Sequence, residues 1–337
     1  MMRSREKSFV VKIRFLMCEG VFFYFPQRDS RYVKLPKFVR GCLTTSQHTP
    51  SFHHSSFMSG KRKLVVLFGA NGYVGRAIAK EFVRRGTVEL TAISRSGVPP
   101  PNEEGKNGKS SSSSWTDKIK WVAADSTKPD TYAEHLQGAS CIVTSIGVLP
   151  FGISKEDCYK GNADTNIIPA KTAQKVHGLN RFVAVGASLG VAGALVPGAK
   201  PYIEGKMAVE NFAKNEFVRG GNNDHTNARS NDSNSNSDSA SPPTTPPLAV
   251  VVKPGGVSGT KRVGENLNLP LWMLMDPATM VMKRLGKFGM ENSPVRVERV
   301  AKAVVNAALS DDEARFSSGG YVEISNEELL TNPKYDF

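Results

Sequence analysis

Leu64-Val65-Val66-Leu67-Phe68-Gly69-Ala70-Asn71-Gly72-Tyr73-Val74-Gly75-Arg76-Ala77-Ile78-Ala79-Lys80 is the run on which the reading of the whole chain turns. A short unbroken apolar stretch predicts a strand buried on both faces, as in a parallel sheet. It meets three glycines at G-x-x-G-x-x-G spacing and then passes into helical periodicity up to residue 85. Each glycine has a physical job in a dinucleotide-binding turn: Gly69 makes the tight turn, Gly72 lets the backbone approach a pyrophosphate, and Gly75 lets the helix pack on the strand. The free amides at the helix start, around Asn71, Tyr73 and Val74, would face phosphate oxygens with the helix dipole behind them. Three glycines alone also suit a strand-to-helix turn that holds nothing. The preceding strand, the following helix and a second strand after Gly86 favour the cofactor.

Outward from this run, strands and helices alternate. Strands are predicted at 90–94, 120–125, 141–147, 181–186 and 248–252, and helices at 130–136, 162–176 (with Ile167, Ile168, Ala170 and Ala173 inward) and 199–216. The fold class is therefore α/β, a doubly wound parallel sheet of the Rossmann kind, with a small carboxyl-terminal substrate cap. Two stretches break the pattern. Residues 98–118 hold three consecutive prolines and a serine run, and residues 219–247 are almost all Asn, Ser, Asp, Gly, Thr and Pro. Neither can bury enough apolar surface to order itself, so both read as insertions within one domain, 61–337.

The formal charge of +13 suggests nucleic acid until it is divided. Residues 1–63 carry thirteen Lys/Arg against three Asp/Glu, and the rest of the chain 31 against 28. No basic face is left for the folded body, which removes nucleic-acid binding as a function class. Residues 1–60, basic, hydroxylated and poor in acids, read as an organelle-targeting extension, with the mitochondrion as the expected address; Met17 or Met58 as the true start is the alternative. No stretch reaches the roughly 18 apolar residues of a spanning helix. Cys18, Cys42, Cys141 and Cys158 form no C-x-x-C pair and no zinc spacing, so no metal is expected.

The end of the second strand bears on cofactor choice. An NAD site usually places a carboxylate there for the ribose 2′-hydroxyl, whereas this chain has Ser94, Arg95 and Ser96. A guanidinium and two hydroxyls suit a 2′-phosphate, so NADP(H) is favoured over NAD(H). Asp125 is placed either to meet an adenine amino group or to cap its own turn. Ser145 and Gly147, at the end of the fourth strand, lie where cofactor backbone contacts are expected. Tyr202 is the only tyrosine with a lysine four residues on, Lys206, so both share one helix face. The ammonium is expected to lower the phenol toward working pH for proton exchange with a carbonyl or alcohol. Ser188 either bonds the same substrate oxygen or is an ordinary loop serine.

Together these residues resemble an extended or atypical short-chain dehydrogenase/reductase over roughly residues 63–309. The segment Lys253-Pro254-Gly255-Gly256-Val257-Ser258-Gly259 is similar to that family's nicotinamide-side loop, R-P-G-x-x-Y-G, which places Pro254 and Gly255 at the cofactor. Phe68–Gly75, Ile93-Ser-Arg-Ser-Gly97, Tyr159-Lys-Gly-Asn162 and Gly259-Thr-Lys-Arg-Val-Gly264 are similar to a mitochondrial branch. That branch holds the NAD(P)-binding accessory subunit of respiratory complex I and, nearer, the oxidoreductase-like group associated with ubiquinone biosynthesis. The resemblance implies a matrix protein at the inner membrane, in or near a lipid-quinone assembly. Val185-Gly186-Ala187-Ser188 departs from the family by lacking its run of serines. Two functions stay open: an NADP(H)-dependent oxidoreductase acting on a carbonyl or alcohol, and a catalytically silent NAD(P)H-binding assembly or accessory subunit of an inner-membrane complex. The Met-rich stretch 267–290 reads either as a cap suited to a flexible apolar tail or as two packed helices broken at Pro277.

Overall fold

The computed structural model describes residues 17–18, 21–22, 62–100, 114–188, 198–223, 246–263, 267–270, 284, 286–309 and 314–336. They belong to two compact units, Met1–Gly60 and Lys61–Phe337. In the first, Met17–Cys18 pairs antiparallel with Val21–Phe22.

The second unit is built on a seven-stranded sheet. In chain order its strands are β1 (Lys63–Phe68), β2 (Val88–Ser94), β3 (Lys120–Ala123), β4 (Ala139–Thr144), β5 (Arg181–Val185), β6 (Leu248–Val252) and β7 (Gly320–Ile324). Their spatial order is β7-β6-β5-β4-β1-β2-β3, and every pairing is parallel. The order reverses beside β1, which leaves a crevice at the carboxyl ends of β1 and β4.

Both faces are covered. Val65 and Leu67 of β1, with Val183, Val250 and Val252, join a core under α1 (Tyr73–Arg85) and α6 (Val297–Leu309). Val66 and Phe68, with Ile142, Phe182 and Val251, join the opposite core under α3 (Asp164–His177) and α4 (Lys200–Phe212). Side chains alternate across a strand, so a strand buried on both sides needs every residue apolar. The first helix stops at Gly86, left-handed with φ 64°, whose amide donates to Phe82 O at 3.1 Å.

After α4 the chain makes a π turn, Ala213–Phe217, before a last helical stretch, Val218–Asn223. The extra residue brings Phe212 and Phe217 onto one face, where both rings meet Phe182 at 6.0 and 5.4 Å. Residues 219–223, expected in the second insertion, are therefore helical; the rest of it up to 245 lies outside the described residues. In the first insertion, Trp115–Lys118 is a 3-10 turn capped by Ser114, and Trp115 packs on Trp121 at 6.3 Å. Residues 101–113 are not described. The short helix expected at 130–136 is two 3-10 turns, Pro129–Thr131 and Ala133–Leu136. The helix expected from residue 162 starts at Asp164, because Asn162 ends a separate helix, α2 (Lys155–Asn162).

Beyond the sixth strand, Thr260–Val263 pairs antiparallel with Leu267–Pro270, so the expected cap begins as a hairpin. Residues 271–283 lie outside the described residues. The helices α5 (Gly286–Asn292) and α7 (Asn326–Thr331) flank the Lys253–Gly259 loop. The sheet continues past residue 309 into β7, which the sequence reading did not anticipate. Among the described residues no helix is long and apolar enough to cross a membrane, and no group of His, Cys, Asp and Glu could hold a metal ion.

Candidate functional site

The glycine turn forms as the motif requires. Gly69 has φ 83°, and its amide donates to Ile93 O at 3.1 Å. A Cβ on Gly75 would lie 2.0 Å from Gly69 O, so only glycine lets α1 approach the turn this closely. Gly72 is different: it is exposed, and a Cβ there would meet only Gly69 O, at 3.1 Å. Its openness leaves room for a ligand against the backbone. Gly72 also caps α1 without a side-chain hydrogen bond, and the first turn holds no acid. The amides of Tyr73 and Val74 therefore lie at a helix start suited to an anion.

Four buried side-chain polar atoms among the described residues have no partner: Asn71 Oδ1, Tyr73 Oη, Thr144 Oγ1 and Asn166 Oδ1. All belong to the glycine turn, the end of β4, or the residue holding the loop after β4. Orphaned polar atoms are rare inside proteins, and their concentration here fits a bound polar molecule. A nicotinamide dinucleotide suits this crevice.

At the β2 end, Asn71 reaches across from the glycine turn. Its Nδ2 donates one hydrogen to Val98 O at 2.9 Å and shares the other between Ser94 Oγ at 3.1 Å and Ser96 Oγ at 3.2 Å. Arg95 stands exposed between the two serines. Asp125 caps its own turn: its Oδ1 accepts from Thr127 N at 3.0 Å and Thr127 Oγ1 at 2.8 Å. Those bonds, led by the backbone amide, hold its carboxyl below the usual range. Ser145 Oγ donates to Phe68 O at 3.1 Å, so its hydroxyl ties β4 to the turn.

At the other end, Lys206 is buried, and its Nζ donates to Ile146 O at 3.1 Å and Val185 O at 3.2 Å. Burial pulls this ammonium down to about 8. A Cβ on Gly147 would come within 3.2 Å of the same Nζ, so glycine keeps the ammonium open on that side. Asn162 and Asn166, which sequence reasoning did not place in the site, complete the frame. Asn162 Nδ2 donates to Val148 O at 2.8 Å and its Oδ1 accepts from Val148 N at 3.3 Å. Asn166 Nδ2 donates to Ile146 O at 3.1 Å. The signal available was two asparagines four apart at a helix junction, polar where the neighbouring residues are apolar.

Tyr202 lies one turn before Lys206 on α4 and faces Cys158 of α2. Here the expectation is corrected: burial, then the Cys158 thiol, push the phenol above its ordinary value instead of below it. The reason is geometric, since Lys206 turns its ammonium onto two strand-end carbonyls. Ser188 donates its amide to Pro254 O at 2.7 Å, which joins the ends of β5 and β6. Gly255 N donates to Asn326 Oδ1 at 2.7 Å, so this loop amide is spent on packing against α7. Beside α4, a cleft of about 630 Å³ is lined by Tyr159, Gly198, Pro201 and Glu204, among others. Leu149, Phe151 and Ile153 stand exposed on the loop after β4.

Residues 69–228 match a family model described as NAD(P)H-binding. The seven-stranded parallel sheet with helices on both faces is a Rossmann-like α/β fold. Its structure is similar to that of an oxidoreductase of the short-chain dehydrogenase/reductase family from Burkholderia thailandensis, with a TM-score of 0.50 and 17% identity over 80% of this chain and 94% of that one. In sequence it is 27% identical to an uncharacterised chloroplastic protein of Arabidopsis thaliana over 75% of this chain and 73% of that protein. It is 39% identical to MIOREX complex component 2 of Saccharomyces cerevisiae over 25% of this chain, a match that spans 28% of the yeast protein.

Proposed function

We propose that the chain is an NADP(H)-dependent oxidoreductase acting on a carbonyl or alcohol, with Tyr202 as the proton-exchanging residue. The observation that carries this reading is Lys206: a buried ammonium held by two strand-end carbonyls, with no carboxylate partner among the described residues, one helical turn from Tyr202. A cation is costly to bury, and this one stands where parallel sheets of this kind bind their ligands. The bound dinucleotide would supply or accept the hydride. The turn amides at Tyr73 and Val74, with Gly72, would hold the pyrophosphate, and the Nζ of Lys206 would hold ribose hydroxyls. Tyr202 would exchange its proton with the substrate oxygen, and Ser188 would orient that oxygen.

The preference for the phosphorylated cofactor rests on Ser94, Arg95 and Ser96, with Asp125 committed to its own turn. Leu149, Phe151 and Ile153, exposed on the loop that follows β4, suit a substrate with an apolar body, and a lipid quinone fits that description. The basic first 60 residues support an organelle address, here taken as the mitochondrial matrix at the inner membrane; relatives named as chloroplastic and as a complex component support an organelle and a complex partner.

The test is a fluorescence titration of the full chain with NADPH and NADH, wild type and Tyr202→Phe, with oxidation of NADPH by quinones and aldehydes recorded in the same samples. Binding by both proteins with turnover by the wild type alone is the expected result. Binding by both with turnover by neither across the panel counts against an enzyme and for a cofactor-binding subunit.

A further inference from the structure

The hydrogen-bond polarity of the β2 loop goes beyond the presence of Arg95. Val98 O can only accept, so the Asn71 side chain must turn its Nδ2 toward the loop, as it does at 2.9 Å. Its second hydrogen is shared between Ser94 Oγ at 3.1 Å and Ser96 Oγ at 3.2 Å. Each serine oxygen receives a second donor from the backbone: Gly97 N reaches Ser94 Oγ at 3.1 Å, and Val98 N reaches Ser96 Oγ at 3.3 Å. Each oxygen thus accepts from a backbone amide and from a shared Asn71 hydrogen, which turns the hydroxyl hydrogens away from these donors. Neither hydroxyl donates to an acceptor among the described residues.

We propose that Asn71 is a positioning residue for cofactor discrimination: it fills the acceptor side of Ser94 and Ser96 so that both hydroxyls, with Arg95, present only donors to a 2′-phosphate. A phosphate is acceptor-rich and takes all three. A free ribose 2′-hydroxyl has a single oxygen in place of the phosphate's several and so uses fewer of these donors. The inference rests on the reading that this loop faces the adenosine ribose.

The experiment measures dissociation constants for NADPH and NADH by fluorescence in the full chain, as wild type, Asn71→Ala, Asn71→Asp, Arg95→Ala and Ser94→Ala/Ser96→Ala, with urea midpoints to confirm folding. Asn71→Ala is expected to weaken NADPH roughly tenfold and leave NADH within about threefold, because only the phosphate uses the fixed hydroxyls. Asn71→Asp is expected to shift the ratio further toward NADH, since its carboxylate accepts the hydroxyl hydrogens and repels phosphate. A purely structural Asn71 would weaken both cofactors equally, and that result overturns the proposal. So does an unchanged ratio in Asn71→Ala while Arg95→Ala loses NADPH. If neither Arg95→Ala nor the serine pair alters the ratio, the underlying reading of the loop has failed, and the proposal falls with it.

Discussion

Gly72 and Gly75 share one motif, yet the structure separates their roles. A Cβ at Gly75 would sit 2.0 Å from Gly69 O and 2.8 Å from Gly69 C, against a carbon contact optimum of roughly 3.5–4.0 Å. The opposing atoms are backbone, so α1 itself has to lift away from the turn. Overpacking usually costs about 1–3 kcal/mol, and Gly75→Ala belongs at the upper end of that range. Gly72, at φ −69° and ψ 164°, has ordinary extended backbone and a lone neighbour at 3.1 Å. Alanine there strains little and gains roughly 0.4–1 kcal/mol from a less flexible unfolded chain, so stability should stay within about 0.5 kcal/mol of wild type. Its methyl would stand where a pyrophosphate must touch the backbone. NADPH affinity should then fall at least about tenfold, or roughly 1.4 kcal/mol. Urea unfolding without cofactor reads the first quantity and NADPH fluorescence titration the second. A folded Gly72→Ala protein that binds NADPH like wild type would refute the placement of the pyrophosphate at this turn.

Lys206 makes a pH-dependent prediction. Its folded value, about 8, lies below the ordinary 10.5, so between those limits the unfolded chain binds more protons and stability rises with pH. Relative to Lys206→Met, the wild type should gain up to about 3 kcal/mol between pH 8 and 10.5 in urea titrations, and a flat difference would contradict the burial of the charged form. At Lys253, the ammonium meets Glu210 at 3.1 Å and Glu323 at 3.3 Å, joining α4 to β7. Burial works against that charge, but the two carboxylates raise it overall, so its contribution is whole at neutral pH and is lost only above the ordinary lysine range. Lys253→Met should cost about 1 kcal/mol at pH 7, given partly exposed partners, and part of that should be lost in high salt. Asn162→Leu removes the buried side chain that holds both backbone groups of the exposed Val148; a loss of roughly 1–2 kcal/mol in the urea midpoint analysis is expected, and a neutral result would show that the loop after β4 is held by other contacts.

How much of this was legible in the sequence depended on whether a single local signal carried it. The strands β1, β2, β4, β5 and β6 were readable because a strand lying inside the sheet and covered on both faces is largely apolar, and β3, at the sheet edge, from the short run Trp121-Val122-Ala123. The first helix was readable to the residue, because Gly72 and Gly86 punctuate it. The seventh strand, Gly-Tyr-Val-Glu-Ile, was not, because it is an edge strand with one neighbour and half-exposed side chains, and its composition does not separate it from a loop. Among the site residues, Tyr202 and Lys206 were found by helical spacing. Their spacing fixed a shared face, but it could not say where a four-carbon ammonium would turn. Ser145 and Gly255 fell at the right strand ends, yet their hydrogen-bonding groups are taken by Phe68 O and Asn326 Oδ1, partners far away in sequence. Asn71 was read as a turn residue; its bonds to Ser94, Ser96 and Val98 join positions that only the sheet brings together.

The relation between Tyr202 and Lys206 also bears on the direction of the proposed chemistry. Because the ammonium is tied to Ile146 O and Val185 O, it does not draw the phenol down, and burial keeps Tyr202 protonated through neutral pH. A protonated phenol can give a proton to a carbonyl oxygen at once, whereas taking one from an alcohol first requires its own ionisation. In this arrangement reduction needs no preceding deprotonation and oxidation does. In the proposed chemistry Lys206 would serve the cofactor side of the crevice and Tyr202 the substrate side, and a side chain at Gly147 would crowd the Nζ at 3.2 Å. The pair shares a helix face for placement, and burial, more than mutual electrostatics, sets the protonation of each.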